Sequence, residues 1–280
     1  MQPELTAYRH PATGTMTYVI VDTATFLCAI VDPVLDFDPK TEAVDTGFVD
    51  QIIADIRAKD LGPTWILETG LHTGHLSAAG HLKYETGASV CIGARVVESL
   101  KRLAPIFGET MVDLDGWDFD KLAQDGDTFP MGGLEITPIA LTGRLPGAVA
   151  YKMADMLFTG DLILCPEDGA GRCDVPGADA GKAWDDARKL LDLPPETRIL
   201  PGVCAVEARE STVAEERAGN IQLNDKIDRL DFIALRTAAD AILPDPDLVS
   251  PALRVAIRSG KPPSPPEQGP RFPVVDLSKL

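Results

Sequence analysis

The sequence has few histidines, few positive charges and no long apolar run. Its 280 residues include four histidines and 26 lysines and arginines against 43 aspartates and glutamates, which gives a formal net charge of −17. Such an excess of negative charge repels nucleic acid and anionic lipid headgroups, so we expect neither as a partner. No run of 18 apolar residues occurs, and residues 1–14 are polar and interrupted by proline. These features predict no membrane span and no secretory leader, and hence a cytoplasmic protein.

The cysteines are also few and widely spaced. Cys28, Cys91, Cys165, Cys173 and Cys204 are odd in number, and no two of them form a CxxC pair. This argues against a disulfide framework and against a zinc ribbon, and it predicts free thiols in a reducing compartment.

The length and the apolar content predict one globular domain. An apolar fraction of 45% over 280 residues is enough to bury a full core. We expect the domain to span residues 1–280, with a core over about 1–210. C-terminal helices and a proline-rich tail should follow over about 211–280. A homodimer would be unsurprising.

The hydrophobic pattern predicts strands and helices in alternation. The predicted elements are strands at 18–21, 26–31, 63–68, 89–92 and 197–200, a β-meander over 127–158, and helices at 46–58, 76–85, 94–103, 177–191 and 213–241. Thr212 and Glu215 have the spacing of a capping box. The proline-dense segment 260–269 should run extended. Two half-sheets with helices outside each predict an α/β fold, a four-layer αββα sandwich.

The loop after the strand at 63–68 contains two of the four histidines. It reads Glu-Thr-Gly-Leu-His-Thr-Gly-His over residues 68–75 and resembles the T-H-x-H-x-D-H signature of the metallo-β-lactamase superfamily. Other segments resemble the branch that contains the persulfide dioxygenases and glyoxalase II hydrolases. These segments are 65–69, 77–83, 86–88, 158–161, 171–174 and 211–217. The resemblance implies the αββα fold and a metal site between the two sheets.

The ligand set that this resemblance implies is incomplete. Of seven ligand positions, three keep a ligand, namely His72, His75 and Asp161. The other four positions are Gly70, Gly74, Arg144 and Val203. A two-metal centre of this family uses five histidines, more than the whole chain has. The single iron of the persulfide dioxygenases is held at the positions of Gly70, Arg144 and Asp161. We therefore expect no cofactor, or at most one zinc or iron ion on His72, His75 and Asp161.

Arg144 carries the main hypothesis about the site. A guanidinium has no lone pair and stays protonated, so it would repel a metal ion at this position. We expect Arg144 to turn inward and pair with Asp161, in the place of the missing ion. The alternative is that its loop turns it out to solvent. His72 and His75 are then either ligands or hydrogen-bonded structural residues, and a thiolate site on Cys204 with His75 is a further alternative.

Two main functions follow from these residues. The first is a catalytically lapsed relative that keeps a cleft for a small thiol-containing or anionic ligand. The second is an active enzyme, a mononuclear hydrolase or sulfur dioxygenase acting on a glutathione thioester or persulfide. A regulatory subunit that uses the proline-rich tail as an interface is a third alternative.

Overall fold

The computed structural model describes residues 3–175, 177–243, 248–266, 268–273 and 275. The strands are β1 (Glu4–Arg9), β2 (Met16–Val21), β3 (Leu27–Val31), β4 (Val34–Asp38), β5 (Ala43–Asp45), β6 (Gly62–Leu67), β7 (Leu76–Ser77), β8 (Ser89–Gly93), β9 (Lys121–Ala123), β10 (Phe129–Met131), β11 (Leu134–Ala140), β12 (Val149–Met153), β13 (Met156–Gly160), β14 (Arg198–Pro201) and β15 (Ser211–Thr212). The helices are α1 (Gly47–Ala58), α2 (Ala79–Thr86), α3 (Val96–Phe107), α4 (Ala180–Leu191), α5 (Val213–Gly219), α6 (Arg229–Asp240) and α7 (Val249–Ala256). In the described ranges, no helix is long and apolar enough to cross a membrane.

Two six-stranded sheets form the centre of the molecule. The first has the order β1-β2-β3-β6-β8-β9, with antiparallel pairs from β1 to β3 and parallel pairs from β3 to β9. The second has the order β10-β11-β12-β13-β14-β15, in which β13 and β14 run parallel. A small sheet of order β5-β4-β7 lies beside them.

The alternation of side chains along the strands produces three apolar layers. On β2, Val19 and Val21 pack with the helices α1, α2, α3 and α7, whereas Tyr18 and Ile20 pack between the two sheets. A third layer lies between the second sheet and the helices α4 and α6. Successive strand residues point to opposite faces, so each sheet is apolar on both sides. This confirms the four-layer αββα sandwich.

Two predicted helices differ in detail. The predicted helix at 76–85 begins at Ala79, because residues 76–77 pair with β4 as the strand β7. The predicted helical stretch 213–241 is two helices, since the side chain of Asn220 accepts hydrogen bonds from the backbone N–H groups of Gln222 and Leu223 and ends the first helix. Asp228 then caps the second helix. The capping box of Thr212 is present as expected.

The helix α7 was not predicted. Its Leu253 and Val255 and the following Ile257 are fully buried in the layer that α1 and α3 also form. The proline-dense segment that follows has no helix or strand over residues 261–266. Its Glu267 lies outside the described residues, as do residues 276–280 of the tail.

Glu216 provides a test of how the C-terminal helices are held. Its carboxyl is fully buried, accepts from the hydroxyl of Ser211 and lies 2.6 Å from Nδ2 of Asn220. Burial raises the pKa of Glu216 to about 7, against the hydrogen bonds that lower it. Because the folded-state pKa exceeds the unfolded one, this group's contribution to stability is complete below about pH 4.5 and is lost as pH rises towards 7.

We expect Glu216→Gln to remove that part of the pH dependence. Between pH 4.5 and 7 the free energy of unfolding should fall less steeply in the variant than in the parent, by up to about 3 kcal/mol over the window. Urea titrations at several pH values measure this difference. The exposed Glu207→Gln is the matched control and should follow the parent. Identical slopes for Glu216→Gln and the parent would contradict the assignment.

Candidate functional site

The candidate site lies at one end of the sandwich, between the two sheets. Asp32 follows β3 and Glu68 follows the neighbouring parallel strand β6, so both lie at the carboxyl end of the first sheet. Asp161 follows β13 at the corresponding end of the second sheet. The N–H of Val149 donates to the carbonyl of Thr69 at 2.8 Å and joins the two sheets at this point.

Asp32 fixes the loop that carries the histidines. Its carboxylate accepts from the backbone N–H and from the hydroxyl of Thr69, both at 2.7 Å, and its Oδ1 lies 3.1 Å from Nε2 of His72. Asp32 itself has a φ of +47°, a conformation that short polar side chains tolerate better than most. The carboxylate therefore holds the loop backbone and the His72 ring together.

His72 connects Asp32 to Asp161. Its other ring nitrogen, Nδ1, lies 3.4 Å from Oδ2 of Asp161. Burial acts to lower the pKa of His72, but the charge of Asp32 and the hydrogen bonds to both carboxylates raise it well above its ordinary value. A carboxylate at each ring nitrogen therefore favours the imidazolium form of His72.

Arg144 turns inward and contacts the same carboxylate. Its Nη2 lies 3.6 Å from Oδ2 of Asp161, and its Nη1 donates to the carbonyl of Arg172. The side chains of Arg144 and Asp161 are 13% and 21% exposed, so this is a half-buried ion pair. Burial acts to raise the pKa of Asp161, but the hydrogen bond and charge of His72 and the charge of Arg144 hold it well below its ordinary value.

The loop of Arg144 is held rigidly against α4. The carboxylate of Asp186 accepts from the N–H groups of Thr142 at 2.5 Å and Gly143 at 2.7 Å. A Cβ on Gly143 would lie 2.1 Å from the backbone nitrogen of Ala183, so only glycine permits this approach. These contacts direct the next residue, Arg144, towards the interior.

Two further buried groups of the site are neutral near pH 7. The ring of His75 lies 4.5 Å from that of His72, centroid to centroid, and its buried Nε2 has no hydrogen-bond partner among the described residues. Burial and the charge of His72 lower the pKa of His75 to about 3. Glu68 accepts from the Ser77 hydroxyl at 2.6 Å, and burial together with the charge of Asp32 raises its pKa to about 8.

The donor set does not fit the metal centre that the resemblance implies. Gly70 offers no donor atom, and Arg144 brings a positive charge onto the carboxylate that would bind the ion. The one cluster of three candidate ligands found in the described part of the chain is Asp32, Glu68 and His72, with ligand atoms within 4.8 Å of one another. It differs from the predicted set of His72, His75 and Asp161, and its Asp32 and His72 already bond to each other.

A cleft opens from this site to the surface. Its volume is about 430 Å³, and Arg144, Asp161, Leu164 and Val203 are among the residues that line it. A separate space of about 30 Å³, roughly one water, lies beside His72. Arg144 and Asp161 border both spaces, as do Thr73 and Val175, so the ion pair lies where the two spaces meet.

The loop over residues 168–173 forms one wall of the cleft. Buried polar side chains from residues 222–240 hold this loop in place. Gln222 accepts from the N–H of Ala170 at 2.9 Å, and Arg236 donates to the carbonyl of the same residue at 2.6 Å. Asp240 accepts from the N–H of Cys173 at 3.0 Å and pairs with Arg236 at 2.8 Å. The segment after residue 211 thus shapes the site as well as the fold.

The other two histidines of the chain contact carboxylates outside the site. His10 pairs with Asp36 at 3.1 Å and His81 with Asp50 at 2.7 Å. The Sγ atom of Cys204 lies 3.6 Å from that of Cys165.

Asp32 and Glu68 were not predicted as residues of the site. The signal was present, because each is an acidic residue that directly follows a buried strand.

Comparison with known proteins identifies relatives over nearly the whole chain. Residues 11–203 match the family model described as "Metallo-beta-lactamase superfamily". A probable metallo-hydrolase of Burkholderia pseudomallei is 35% identical over 96% of this chain and 97% of its own length. A beta-lactamase hydrolase-like protein of Xylella fastidiosa is 36% identical over 99% of this chain, which spans 65% of that longer relative. The human mitochondrial persulfide dioxygenase ETHE1 is 25% identical over 89% of this chain and 86% of its own length.

A solved structure is also similar over nearly the whole chain. The crystal structure of ETHE1 from Myxococcus xanthus matches with a TM-score of 0.75 and 25% identity, and the match covers 92% of this chain and all of that one.

The ion pair at the site predicts a specific loss of stability. Arg144→Met leaves Asp161 with one cation instead of two, and we expect it to lower the free energy of unfolding by about 2 kcal/mol. Arg95→Met, which removes an exposed partner of Glu98, is the control and should cost less than about 0.5 kcal/mol. Combining Arg144→Met with Asp161→Asn should cost less than the sum of the two, as denaturant titrations would measure. Strictly additive effects would show that the two side chains are not coupled.

Proposed function

Because the chain belongs to the metallo-β-lactamase superfamily but carries a guanidinium at a ligand position, we propose that it is a catalytically lapsed member that retains a ligand-binding cleft. The observation that carries this proposal is the environment of Oδ2 of Asp161. Nδ1 of His72 and Nη2 of Arg144 both lie within 3.6 Å of that one oxygen. An ion bound through it would face two positive charges at short range.

The ligand positions without a donor side chain support the same proposal. In active relatives the bound metal supplies Lewis-acid chemistry, which needs a firmly held ion with an open coordination position. In this chain Gly70, Gly74 and Val203 provide no donor side chain. The carboxylates of Asp32 and Asp161 are balanced by His72 and Arg144 instead.

The cleft supports the retained binding function. A volume of about 430 Å³ is in the range of small-molecule sites. Arg144, Arg172 and Arg236 border it together with the apolar Leu164 and Val203. Each guanidinium is paired with a carboxylate, that of Asp161, Asp174 and Asp240 respectively. They are the cationic side chains that the cleft offers to an anion in a protein of net charge −17. The ligand we propose is a small anionic molecule, of which a thiol-containing peptide such as glutathione is the test case.

One observation favours a second candidate, an enzyme with a single metal ion. The buried Nε2 of His75 has no hydrogen-bond partner among the described residues, and an unpaired imidazole nitrogen beside carboxylates is a plausible ligand for zinc or iron. The metal content of the purified chain distinguishes the two candidates.

We expect the chain purified without added metal to contain far less than one iron or zinc ion per molecule. The double variant Gly70→His/Arg144→His restores the three positions that hold iron in the persulfide dioxygenases, and it should bind about one Fe²⁺ under anaerobic conditions. A Cβ on Gly70 would lie 3.4 Å from Cα of Ala148, an ordinary contact, so the backbone at this position accepts a side chain. Each single variant is the matched control and should stay largely metal-free.

Plasma mass spectrometry and calorimetric Fe²⁺ titration measure these outcomes. A stoichiometric metal in the unaltered chain would contradict the lapsed assignment and support the second candidate.

We expect glutathione to bind without being turned over. Arg144→Met should weaken binding at least tenfold, because it removes a cation that lines the cleft. Calorimetry measures the affinity, and assays with glutathione persulfide and acyl-glutathione thioesters measure turnover. Turnover that is lost on His72→Ala or Asp161→Ala would show that the chain is an enzyme.

A further inference from the structure

Two thiols face each other next to the candidate site. Cys165 lies four residues after Asp161, and Cys204 lies in the segment after β14. Their Sγ atoms are 3.6 Å apart. Both side chains belong to the apolar layer between the two sheets and are 4% and 1% exposed. Neither residue has a part in the proposed ligand binding.

The backbone around each thiol is held by hydrogen bonds. The carbonyl of Cys165 accepts from the N–H groups of Asp168 at 2.8 Å and Gly169 at 3.0 Å. The N–H of Cys204 donates to the carbonyl of Gly14 at 3.1 Å, and the carbonyl of Cys204 accepts from Nε of Arg9 at 2.9 Å. A disulfide needs an S–S distance of about 2.05 Å. The two Sγ atoms must therefore approach each other by about 1.5 Å to form the bond.

The two thiols are also unequal in acidity. The hydrogen bond between the two thiols and the charge of Arg9 lower the pKa of Cys204, against its burial. The same contact and burial raise the pKa of Cys165. Arg9 contacts the backbone of Cys204, whereas the acidic Asp168 and Glu167 lie near Cys165. Because the thiolate is the reactive form, these charges favour Cys204 as the nucleophile of the pair.

We propose that Cys165 and Cys204 are a site of reversible disulfide formation, oxidised by small peroxides, which ties the Asp161 loop to the segment after β14. The Cys204 thiolate attacks one oxygen of hydrogen peroxide, the O–O bond breaks, and the products are a sulfenic acid and hydroxide. The Cys165 sulfur then attacks the sulfenic sulfur as its proton leaves, and water departs. Two thiols lose two electrons and two protons, and the peroxide becomes two waters.

This cross-link would act directly on the cleft. Leu164 and Val203, the residues next to the two cysteines, both line it. A Cβ on Gly202 would lie 2.8 Å from Oδ1 of Asp161, so the segment already packs tightly on that carboxylate. Drawing Cys204 towards Cys165 changes the wall beside Asp161, and ligand affinity becomes dependent on the redox state.

The test is a mass measurement on the full chain under native conditions. The reduced protein is treated with hydrogen peroxide, blocked with N-ethylmaleimide in denaturant and digested without reductant. Disulfide formation should make the protein about 2 Da lighter than the reduced protein, because two thiols lose two hydrogen atoms. The digest should contain a cross-linked peptide pair with Cys165 and Cys204. Dithiothreitol should reverse both. A bulky aromatic disulfide should leave the pair reduced in the folded protein, because of its burial.

Matched variants complete the experiment. Cys165→Ser and Cys204→Ser should each abolish the cross-link, whereas Cys28→Ser, at a fully buried cysteine, should retain it. If a variant does not fold, the peptide map of the unaltered chain decides alone. Recovery of both cysteines as maleimide adducts after peroxide treatment, or over-oxidation of Cys204 without a cross-link, would overturn the proposal. Neither result bears on whether the cleft binds glutathione, so the two proposals fail separately.

Discussion

A row of four alternating charges organises the functional end of this protein. Asp32, His72, Asp161 and Arg144 follow one another at distances of 3.1, 3.4 and 3.6 Å. Each interior member has an opposite charge on both sides, and the formal charges sum to zero. Asp32 also orders the loop through Thr69, and Asp161 is shared by the two cations. Because charges at this depth are costly unless they are paired, the loop, the ring and the guanidinium hold one another in place.

The fold was predictable from the sequence because its signals are local and repeated. Val49, Ile52, Ile53 and Ile56 mark the buried face of α1 at helical spacing, and the strands show runs of apolar residues. The helix α7 was missed because its apolar residues pack on a layer formed by distant segments. The end of the helix at Asn220 was not predicted. The side chain of Asn220 ends the helix by accepting from the backbone N–H groups of Gln222 and Leu223.

Several residues of the site could be named from the sequence, but their arrangement could be predicted only in part. The resemblance implies that Arg144 stands at a ligand position, and it leaves the choice between an inward and an outward guanidinium. The inward direction depends on Asp186 and Gly143, which bring the loop against α4. The lowered pKa of Asp161 and the raised pKa of Glu68 depend on their burial and on which charges lie beside them after folding. None of these contacts follows from spacing along the chain, because each joins segments far apart in sequence.

The charge row has a consequence for the biogenesis of the protein. Two buried carboxylates without a cation would leave one end of the sandwich strained until an ion was delivered. Here both compensating cations are encoded in the polypeptide, and they arrive when the loops close. Under the proposed function, assembly of this end of the domain is thereby uncoupled from the supply of metal in its surroundings.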